Sequence, residues 1–363
     1  MGATERQAGN DDTVLIEFGV SVKRNTAVLS APRPGRFIAQ VFASLCLFLP
    51  LAACSSDGFA RVVPISGTVD AGDRFMGVRL LGMLELTGIA DGPDPAGLSG
   101  LAWDEDEGLL YAISDLGRIW RLQPRFESDR LVDAEVVGSA PFLDPDGQPL
   151  QGSEADAEGV VARLHTNGVR GDTQLLVSFE QRPRVEVYKP DGTWIESLEL
   201  PGKLRSPAAY RARNKALEAI AMLPGSADPL LMPETPLRGE DDDFVPLFHG
   251  EQPTRNYPLH PSPGSSITAM EMFPDGRLLV LERAFVSPLL PFSSTLSWVD
   301  PRQGGNRPMD PDVVVHFNTP DGWRIDNFEG LSRHRGQRIF LVSDDNNRSP
   351  QRTLLLYLEL VPE

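Results

Sequence analysis

Acidic side chains recur along this chain at the ends of short β-prone segments, where a group of them could bind a cation. The plainest example is segment 326–347, in which Glu329 lies in a short apolar strand and Asp344 ends the next one. Two short strands joined by a polar turn containing a glycine form a hairpin. In an antiparallel hairpin, the start of the first strand and the end of the second lie at the same end of the sheet. We therefore expect Glu329 and Asp344 to be neighbours.

The same pattern occurs five times in the sequence. Each copy has a small anchor residue directly after the position equivalent to Glu329, and the anchors follow one another at intervals of 50 to 61 residues. A period near 50 residues with four short strands per unit is typical of a β-propeller. We predict an all-β fold, a β-propeller of five or six four-stranded blades. The anchors are Gly100, Gly159, Ala219, Ala269 and Gly330, and the second strands end at Asp115, Glu180, Glu234, Glu282 and Asp344.

The last repeat lacks one strand, which predicts that an early segment completes it. Segment 78–86 is apolar enough to pair with segment 352–360, and closing the ring with strands from both termini would remove an open sheet edge. A sixth, degenerate blade could lie in residues 61–73 or 244–259. Residues 233–265 are rich in proline, glycine and charge, which favours a long insertion loop.

Residues 1–53 are interpreted as a leader with a lipoprotein signal peptide. Residues 37–51 are an apolar run that is too short to span a bilayer comfortably and fits a signal-peptide core. The run ends in LAAC, and this resembles the bacterial lipobox, whose cysteine, here Cys54, becomes lipidated. The alternatives are an ordinary signal peptide with a chance cysteine and a buried core helix. Residues 54–73 would then be a linker, and 74–363 the propeller domain.

Lipidation of Cys54 would attach the protein to a membrane by acyl chains instead of a spanning helix. The expected location is the periplasmic side of a bacterial envelope, and Ser55 after the cysteine favours the outer membrane. No methionine lies between Met1 and Cys54, so the residues before the signal are either a polar extension or precede an internal translation start. We expect a monomer.

Composition excludes several classes of function. The chain carries a net charge of −17 and contains no block of lysine and arginine, so nucleic acid is not an expected partner. Its two cysteines, Cys46 and Cys54, both lie in the leader, which excludes a cysteine nucleophile and a zinc–thiolate site from the rest. No GxSxG, HExxH or Walker motif is present. The repeated acids are the remaining candidates for chemistry.

Carboxylates that converge on a propeller axis repel one another unless cations or arginines share the space. Calcium is the natural cation, because it is a hard ion that takes roughly six to eight oxygen ligands. The alternative is that each acid only caps a turn or pairs with an arginine between blades. Arginines beside the acids suit bidentate binding of phosphate or carboxylate. The candidate metal ligands are Glu158, Glu218, Glu329, Asp115, Glu180, Asp344 and Asp345, and the candidate substrate-binding residues are Arg182, Arg283 and Arg348.

Four segments resemble the bacterial phytase-like family, also described as "esterase-like activity of phytase". They read SGLAWDEDEGLLYAISD from Ser99, AEGVV from Ala157, FEGLS from Phe328 and IFLVSDDN from Ile339. The resemblance covers about residues 95–360 and implies a secreted propeller acting on a phosphoester or ester. By resemblance, the acidic motifs are matched by Glu158, Glu329, Asp344 and Asp345, whereas Ser99 and Thr268 stand where other repeats have an acid.

The resemblance and the repeated acids together favour a metal-dependent phosphoester hydrolase of the cell envelope. In that interpretation calcium bridges the acids and a phosphate, and a metal-bound water attacks phosphorus. The alternative is a non-catalytic propeller lipoprotein that binds a ligand or an envelope partner through one face.

Overall fold

Short runs of alternating and continuous apolar residues fold this chain into antiparallel strands. The computed structural model describes residues 58–88, 94–287, 291–302, 307–346 and 350–361. Within these residues the strands form five sheets, each of which is one blade of a β-propeller. The prediction of an all-β propeller of four-stranded blades is confirmed, and the blade number among the described residues is five.

Blades 1 and 2 are each built from four consecutive strands, ordered from the axis outward. The turn at Asp191 and Gly192 joins the two outer strands of blade 2, as the sequence indicates, and Gly192 adopts a φ of 86° that favours glycine. Blade 1 contains β4 (Leu98–Asp104), β5 (Leu109–Ser114), β6 (Arg118–Glu127) and β7 (Arg130–Pro141), and blade 2 contains β8 (Ala157–Arg163), β9 (Gln174–Phe179), β10 (Arg184–Tyr188) and β11 (Trp194–Leu198).

The prediction of a long insertion loop at residues 233–265 is wrong, because much of this segment forms strands of blade 3. That segment contains β14 and β15, the two outer strands of the blade, which pair with each other through Val245 and Tyr257. Their apolar side chains are buried although prolines and charges surround them in sequence. Blade 3 contains β12 (Leu217–Met222), β13 (Pro229–Pro233), β14 (Phe244–His249) and β15 (Gln252–Pro258), and blade 4 contains β16 (Ser265–Met272), β17 (Leu278–Ala284), β18 (Ser293–Val299) and β19 (Asp312–Asn318).

Blade 5 combines late and early strands of the chain. Its outer strand β3 pairs with β22 in a register that places Leu356 opposite Met83. A further short strand, β1, pairs with β3, so part of the expected 54–73 linker belongs to this sheet. Of the two segments considered for a sixth blade, 61–73 contributes only the end of β1 to blade 5, and 244–259 forms the two outer strands of blade 3. Blade 5 contains β20 (Asn327–Arg333), β21 (Arg338–Asp344), β22 (Leu354–Leu360), β3 (Val78–Leu86) and β1 (Ala60–Val62), and β2 (Arg74–Phe75) pairs with β3.

The core is divided into five apolar clusters, and each cluster fills the space between two adjacent blades. Phe142 and Tyr188, for example, pack between blades 1 and 2 with ring centroids 4.7 Å apart. Trp120 and Tyr357 belong to the cluster between blades 1 and 5. Burying one such side chain contributes about 1.5–3 kcal/mol, so the blades stabilise one another in a ring.

Helical structure in the described residues is limited to short 3-10 turns, namely Gly152–Glu154, Pro207–Ala209 and Thr319–Asp321. Across the same residues, no helix has the length and apolar character needed to cross a membrane. The fold therefore positions functional side chains on strand ends and on the turns between strands.

Candidate functional site

Each inner strand contains a β-bulge at the position aligned by the sequence repeat. In blade 5 the ladder passes from Phe328 directly to Gly330, so Glu329 is an extra residue without a partner across the ladder. A bulge bends its strand and redirects a side chain, and Glu329 lines a narrow central cavity. The equivalent residues, all within bulges, are Ser99, Glu158, Glu218, Thr268 and Glu329.

The small anchors allow neighbouring inner strands to approach closely around the axis. A Cβ atom on Gly159 would lie 2.2 Å from the carbonyl oxygen of Glu218, and one on Gly100 would lie 2.7 Å from that of Glu158. Both distances are too short for a side chain. The glycines therefore bring the bulges of adjacent blades together, and the bulge acids with them.

The acids that end the second strands lie at the same end of the propeller. In blade 5, Asn327 pairs with Asp344, which places the start of β20 beside the end of β21. The same antiparallel geometry applies to the other blades. We call this end the acidic mouth, and it is formed by Asp115, Asp156, Glu158, Glu180, Glu218, Glu234, Glu329 and Asp344.

Two overlapping groups of three carboxylates lie closest together in the acidic mouth. One oxygen from each member of a group lies within 4.8 Å of one oxygen from each other member. Glu180 belongs to both groups, and its Oε1 atom also accepts a hydrogen bond from Ala216 N at 3.0 Å. The groups are Asp156, Glu158 and Glu180, and Glu180, Glu218 and Glu234.

Glu158 and Glu218 are buried and have no direct partner within the described residues. Their side chains are 8% and 5% exposed. Among the residues that the structure describes, neither carboxylate has a hydrogen-bond or ion-pair partner. An unpaired carboxylate at such depth is costly in its charged form. Desolvation, followed by the charges of neighbouring glutamates, raises the pKa of both groups well above the usual range. The site thus favours either protons or a cation.

Other carboxyl groups of the acidic mouth also have raised pKa values. Burial raises the pKa of Glu180 to about 8 and that of Glu329 to about 8, although Arg283 opposes the rise at Glu329. Burial and then the charge of Asp344 raise the pKa of Asp115 to about 7. The Asp115 Oδ1 atom is buried and has no hydrogen-bond partner within the described part of the chain.

Arg283, a candidate substrate-binding residue predicted from the sequence, lies inside the acidic mouth. Its guanidinium forms ion pairs with Glu234 at 3.1 Å and with Glu329 at 3.0 Å. It also donates to Asn327 Oδ1 at 2.6 Å, and Asn327 Nδ2 donates to Glu329 Oε1 at 2.8 Å. Lys215 Nζ approaches Glu234 to 2.9 Å. These bonds show that Arg283 positions acids of two blades and neutralises part of the mouth.

Two candidate acids have structural partners. Glu282, which the repeat aligns with Glu180, accepts hydrogen bonds from Tyr257 Oη at 2.6 Å, His260 N at 2.7 Å and Ser265 Oγ at 2.8 Å. Asp345 accepts from Gly97 N and from Thr353 Oγ1, both at 3.1 Å, and so links blade 5 to the chain entering blade 1. Neither belongs to the two close groups of carboxylates.

The remaining candidates are distant from that centre or lie outside the described residues. Arg182 is 62% exposed and pairs with Glu154. Arg348 and Cys54 lie outside the described residues. The structure therefore brings together Glu158, Glu180 and Glu218 from the predicted set, with Asp115, Glu329 and Asp344 at the same mouth.

Sequence reasoning missed Asp156, Asn327 and Lys215 as parts of the site. Asp156 lies two residues before Glu158, and side chains two apart in an extended segment point to the same face. This spacing could have identified Asp156 from the sequence. Asn327 carries no charge, and nothing in the repeat marks it. Lys215 contacts Glu234 across the first hairpin of blade 3, which only the strand register reveals.

Comparison with solved structures finds matches at very low sequence identity. The Dos1 propeller has a TM-score of 0.34 and 8% identity, over 77% of this chain and 74% of that one. The luciferin-regenerating enzyme has a TM-score of 0.39 and 10% identity, over 73% and 92%. The Myceliophteria thermophila Cps50 (Swd1) β-propeller domain has a TM-score of 0.36 and 9% identity, over 82% and 98%. These values carry no implication for function.

Among curated proteins, no match was found. Residues 94–347, which span more than half of the chain and contain the carboxylates of the acidic mouth, match the family named Phytase-like and described as "Esterase-like activity of phytase". The match also agrees with the resemblance carried by the four segments of the sequence. This chain belongs to the Phytase-like family.

Proposed function

We propose that the acidic mouth binds a hard divalent cation such as calcium, and that the propeller uses it to hydrolyse a phosphoester or ester. The observation that carries the proposal is the pair Glu158 and Glu218, which are buried, close to other carboxylates and unpaired within the described structure. A bound cation would remove the cost of holding these charges together.

The donor set fits a hard cation. The close groups offer only carboxylate oxygens, which suit calcium, magnesium and manganese, while softer metals prefer imidazole and thiolate ligands. Asp156, Glu158 and Glu180 would hold one cation, and Glu180 with Glu218 and Glu234 could hold another. When bound, such a cation would neutralise phosphate charge and lower the pKa of a water molecule.

The protein's own residues would prepare this site in two ways. Arg283 fixes Glu234 and Glu329 in place, and Asn327 fixes Glu329 from the other side. Because this guanidinium already has three partners, the charge of an incoming substrate would be met chiefly by the cation. The substrate role expected for Arg283 is therefore replaced by a positioning role in this proposal.

Calcium titration of chelator-treated protein tests the binding step. We expect the melting temperature to rise, since a ligand at 100 times its dissociation constant adds about 2.7 kcal/mol if it binds only the folded state. The Glu158→Gln/Glu218→Gln double variant should lose that rise. Glu282→Gln is the matched control, because Glu282 is also a buried glutamate of the repeat but already has three donors. Equal calcium responses in the double variant and in wild type would contradict the site.

Hydrolysis of p-nitrophenyl phosphate, p-nitrophenyl acetate and phytate, with and without calcium, tests the catalytic step. We expect calcium-dependent turnover of at least one of them and its loss in the double variant. Calcium binding without turnover of any ester would instead support a non-catalytic propeller that binds a ligand or an envelope partner.

We further propose that the protein is a monomer and that it is lipid-anchored through Cys54 on the periplasmic side of a bacterial outer membrane. Support comes from the LAAC sequence and the apolar run before it. The intact mass of detergent-extracted protein tests this, because cleavage before Cys54 and acylation give a defined mass. A species that retains residues 1–53 would exclude the anchor.

A further inference from the structure

The end of the propeller opposite the acidic mouth contains a second cavity, which we call the distal mouth. It is lined by the far ends of all five inner strands, from Trp103 on blade 1 to Arg333 on blade 5, and its volume is about 720 Å³. Cavities that hold small organic ligands are typically about 300–1,000 Å³. The distal mouth therefore has room for a ligand.

The two mouths differ in charge. The acidic mouth has an excess of carboxylates, whereas the charged side chains lining the distal mouth are three arginines and two glutamates. In a chain with a net charge of −17 this local balance is unusual. In the cation-free propeller, an organic anion would be repelled at the acidic mouth and less so at the distal one. The five charged residues are Arg163, Arg333, Arg335, Glu105 and Glu271.

Most of these charges are already paired. Arg335 donates to both oxygens of Glu105 at 2.9 and 2.8 Å. Arg163 donates to Gln174 at 2.6 Å and pairs with Glu196 at 3.3 Å, near the outer part of blade 2. Of the three arginines that line the cavity, Arg333 therefore remains as the candidate for binding an anion.

Arg333 offers its guanidinium to the cavity. Its backbone N–H donates to Glu271 at 3.0 Å, which holds the main chain in place. In the described part of the protein its guanidinium has no hydrogen bond or ion pair, and its Cζ atom lies 5.8 Å from the centre of the Phe273 ring. Burial raises the pKa of Glu271 to about 7, so this neighbouring carboxyl compensates Arg333 only in part at neutral pH.

The walls of the distal mouth are about half apolar and half polar. The apolar surface comes from Leu164, Met222 and Leu223, which are at least partly exposed, and the flexible side chain of Met222 adapts to different shapes. Arginine can bind a planar oxyanion through two parallel N–H groups. A cavity with one available guanidinium beside exposed apolar side chains is complementary to a molecule that joins one oxyanion to an apolar body.

We propose that the distal mouth binds a small organic anion, a carboxylate or phosphate monoester with an apolar body, and that Arg333 is its anchor. This inference does not depend on the function proposed for the acidic mouth, since the two sites lie at opposite ends of the inner strands and share no charged residue.

The test uses a fluorescent anion and its neutral analogue with chelator-treated full-length protein. The anion is 8-anilinonaphthalene-1-sulfonate, and the analogue, N-phenyl-1-naphthylamine, has the same apolar body without the sulfonate. We expect wild type to bind the anion at least about tenfold more tightly, as one charge-assisted hydrogen bond would provide. Competition by phenyl phosphate and by benzoate then distinguishes a phosphate ligand from a carboxylate ligand. Equal affinity for anion and analogue would overturn the proposal.

Variants of the same mouth localise the effect. Arg333→Gln should lose at least about tenfold in anion affinity and keep its affinity for the neutral analogue. Arg163→Gln is the matched control and should bind the anion within about twofold of wild type. Glu271→Gln removes the neighbouring carboxyl and should bind the anion more tightly, which gives a second readout if Arg333→Gln does not fold. Anion affinity unchanged in Arg333→Gln, or unchanged in Glu271→Gln, would overturn the assignment.

Discussion

The Arg283 guanidinium on β17 lies 3.0 Å from the Glu329 carboxylate on β20, so blade 4 supplies an internal cation to an acid of blade 5. The same guanidinium reaches Glu234 of blade 3. The acidic mouth is therefore divided. One part is neutralised by Arg283 and Lys215 through ion pairs. In the other part, Glu158 and Glu218 form no ion pair among the described residues, although the charge of Arg283 also acts on Glu218.

Replacing Arg283 with glutamine should strongly destabilise the protein. The side chain is 20% exposed, and its removal leaves Glu234 and Glu329 buried with fewer partners. Breaking a buried ion pair by removing one member costs about 3–5 kcal/mol. Urea unfolding in the presence of a chelator measures the loss.

Arg182→Gln is the control for that substitution. Arg182 also pairs with a glutamate, but its side chain is 62% exposed. An exposed ion pair contributes about 0–1 kcal/mol, so this variant should unfold near the wild-type midpoint. If the two variants are equally stable, Arg283 does not hold the mouth together.

The same substitution at two buried glutamates of the repeat should have opposite effects. Glu282→Gln should destabilise the chelator-treated protein by about 2 kcal/mol, because an amide cannot accept all three donors that the carboxylate accepts. Glu218→Gln should stabilise it by about 1 kcal/mol or more, because it removes an unpaired buried acid. Chemical denaturation at pH 8 compares them. Destabilisation by both would mean that Glu218 has a structural partner.

Much of this architecture could be predicted from sequence, because repetition and alternation report directly on strands. The five anchors identified the inner strands, and antiparallel pairing correctly placed Glu329 beside Asp344 at one mouth. The close approach of neighbouring inner strands around the axis also follows from small anchors such as Gly159, which leave room for the adjacent backbone. These properties depend on local pattern and on ring geometry alone.

The rest depended on partners that sequence does not specify. The outer strands at 244–258 contain Pro246 and many polar residues, so their strand signal was weaker than their loop signal, and burial against blade 4 decides the outcome. Glu282 and Glu180 look equivalent in the repeat. Tyr257 and His260 satisfy only the first, and they come from strand β15 and the turn after it, the region that had been interpreted as a loop.

Ser99 should be a structural residue at the position where three other blades have glutamate. Its Oγ atom donates to the Ala157 carbonyl at 2.6 Å and thereby joins blades 1 and 2. Ser99→Ala would leave that buried carbonyl without this donor, at a cost of about 1–3 kcal/mol. Thermal unfolding measures it against Ser197→Ala, an exposed serine whose hydroxyl contacts Glu186 at 3.3 Å. Similar melting temperatures for the two variants would contradict the role.

The raised pKa values of the acidic mouth predict how stability depends on pH. The folded-state pKa is about 8 for Glu180 and Glu329, about 7 for Asp115 and about 6 for Asp344, each above the ordinary value. Between the ordinary and the raised values, the folded state binds more protons than the unfolded state. The free energy of unfolding must then decrease as pH rises through that interval.

We therefore expect the cation-free protein to be more stable at pH 5.5 than at pH 8.5, by at least about 2 kcal/mol, because one unit of pKa difference corresponds to about 1.4 kcal/mol. Urea unfolding with a chelator at both pH values measures the difference. Glu158→Gln/Glu218→Gln should reduce it, since fewer carboxylates then compete for protons in the mouth. Saturating calcium should also reduce it in wild type, because a bound cation favours the deprotonated acids at high pH. Stability that stays constant or increases from pH 5.5 to pH 8.5 would show that the carboxylates are satisfied without protons or cations.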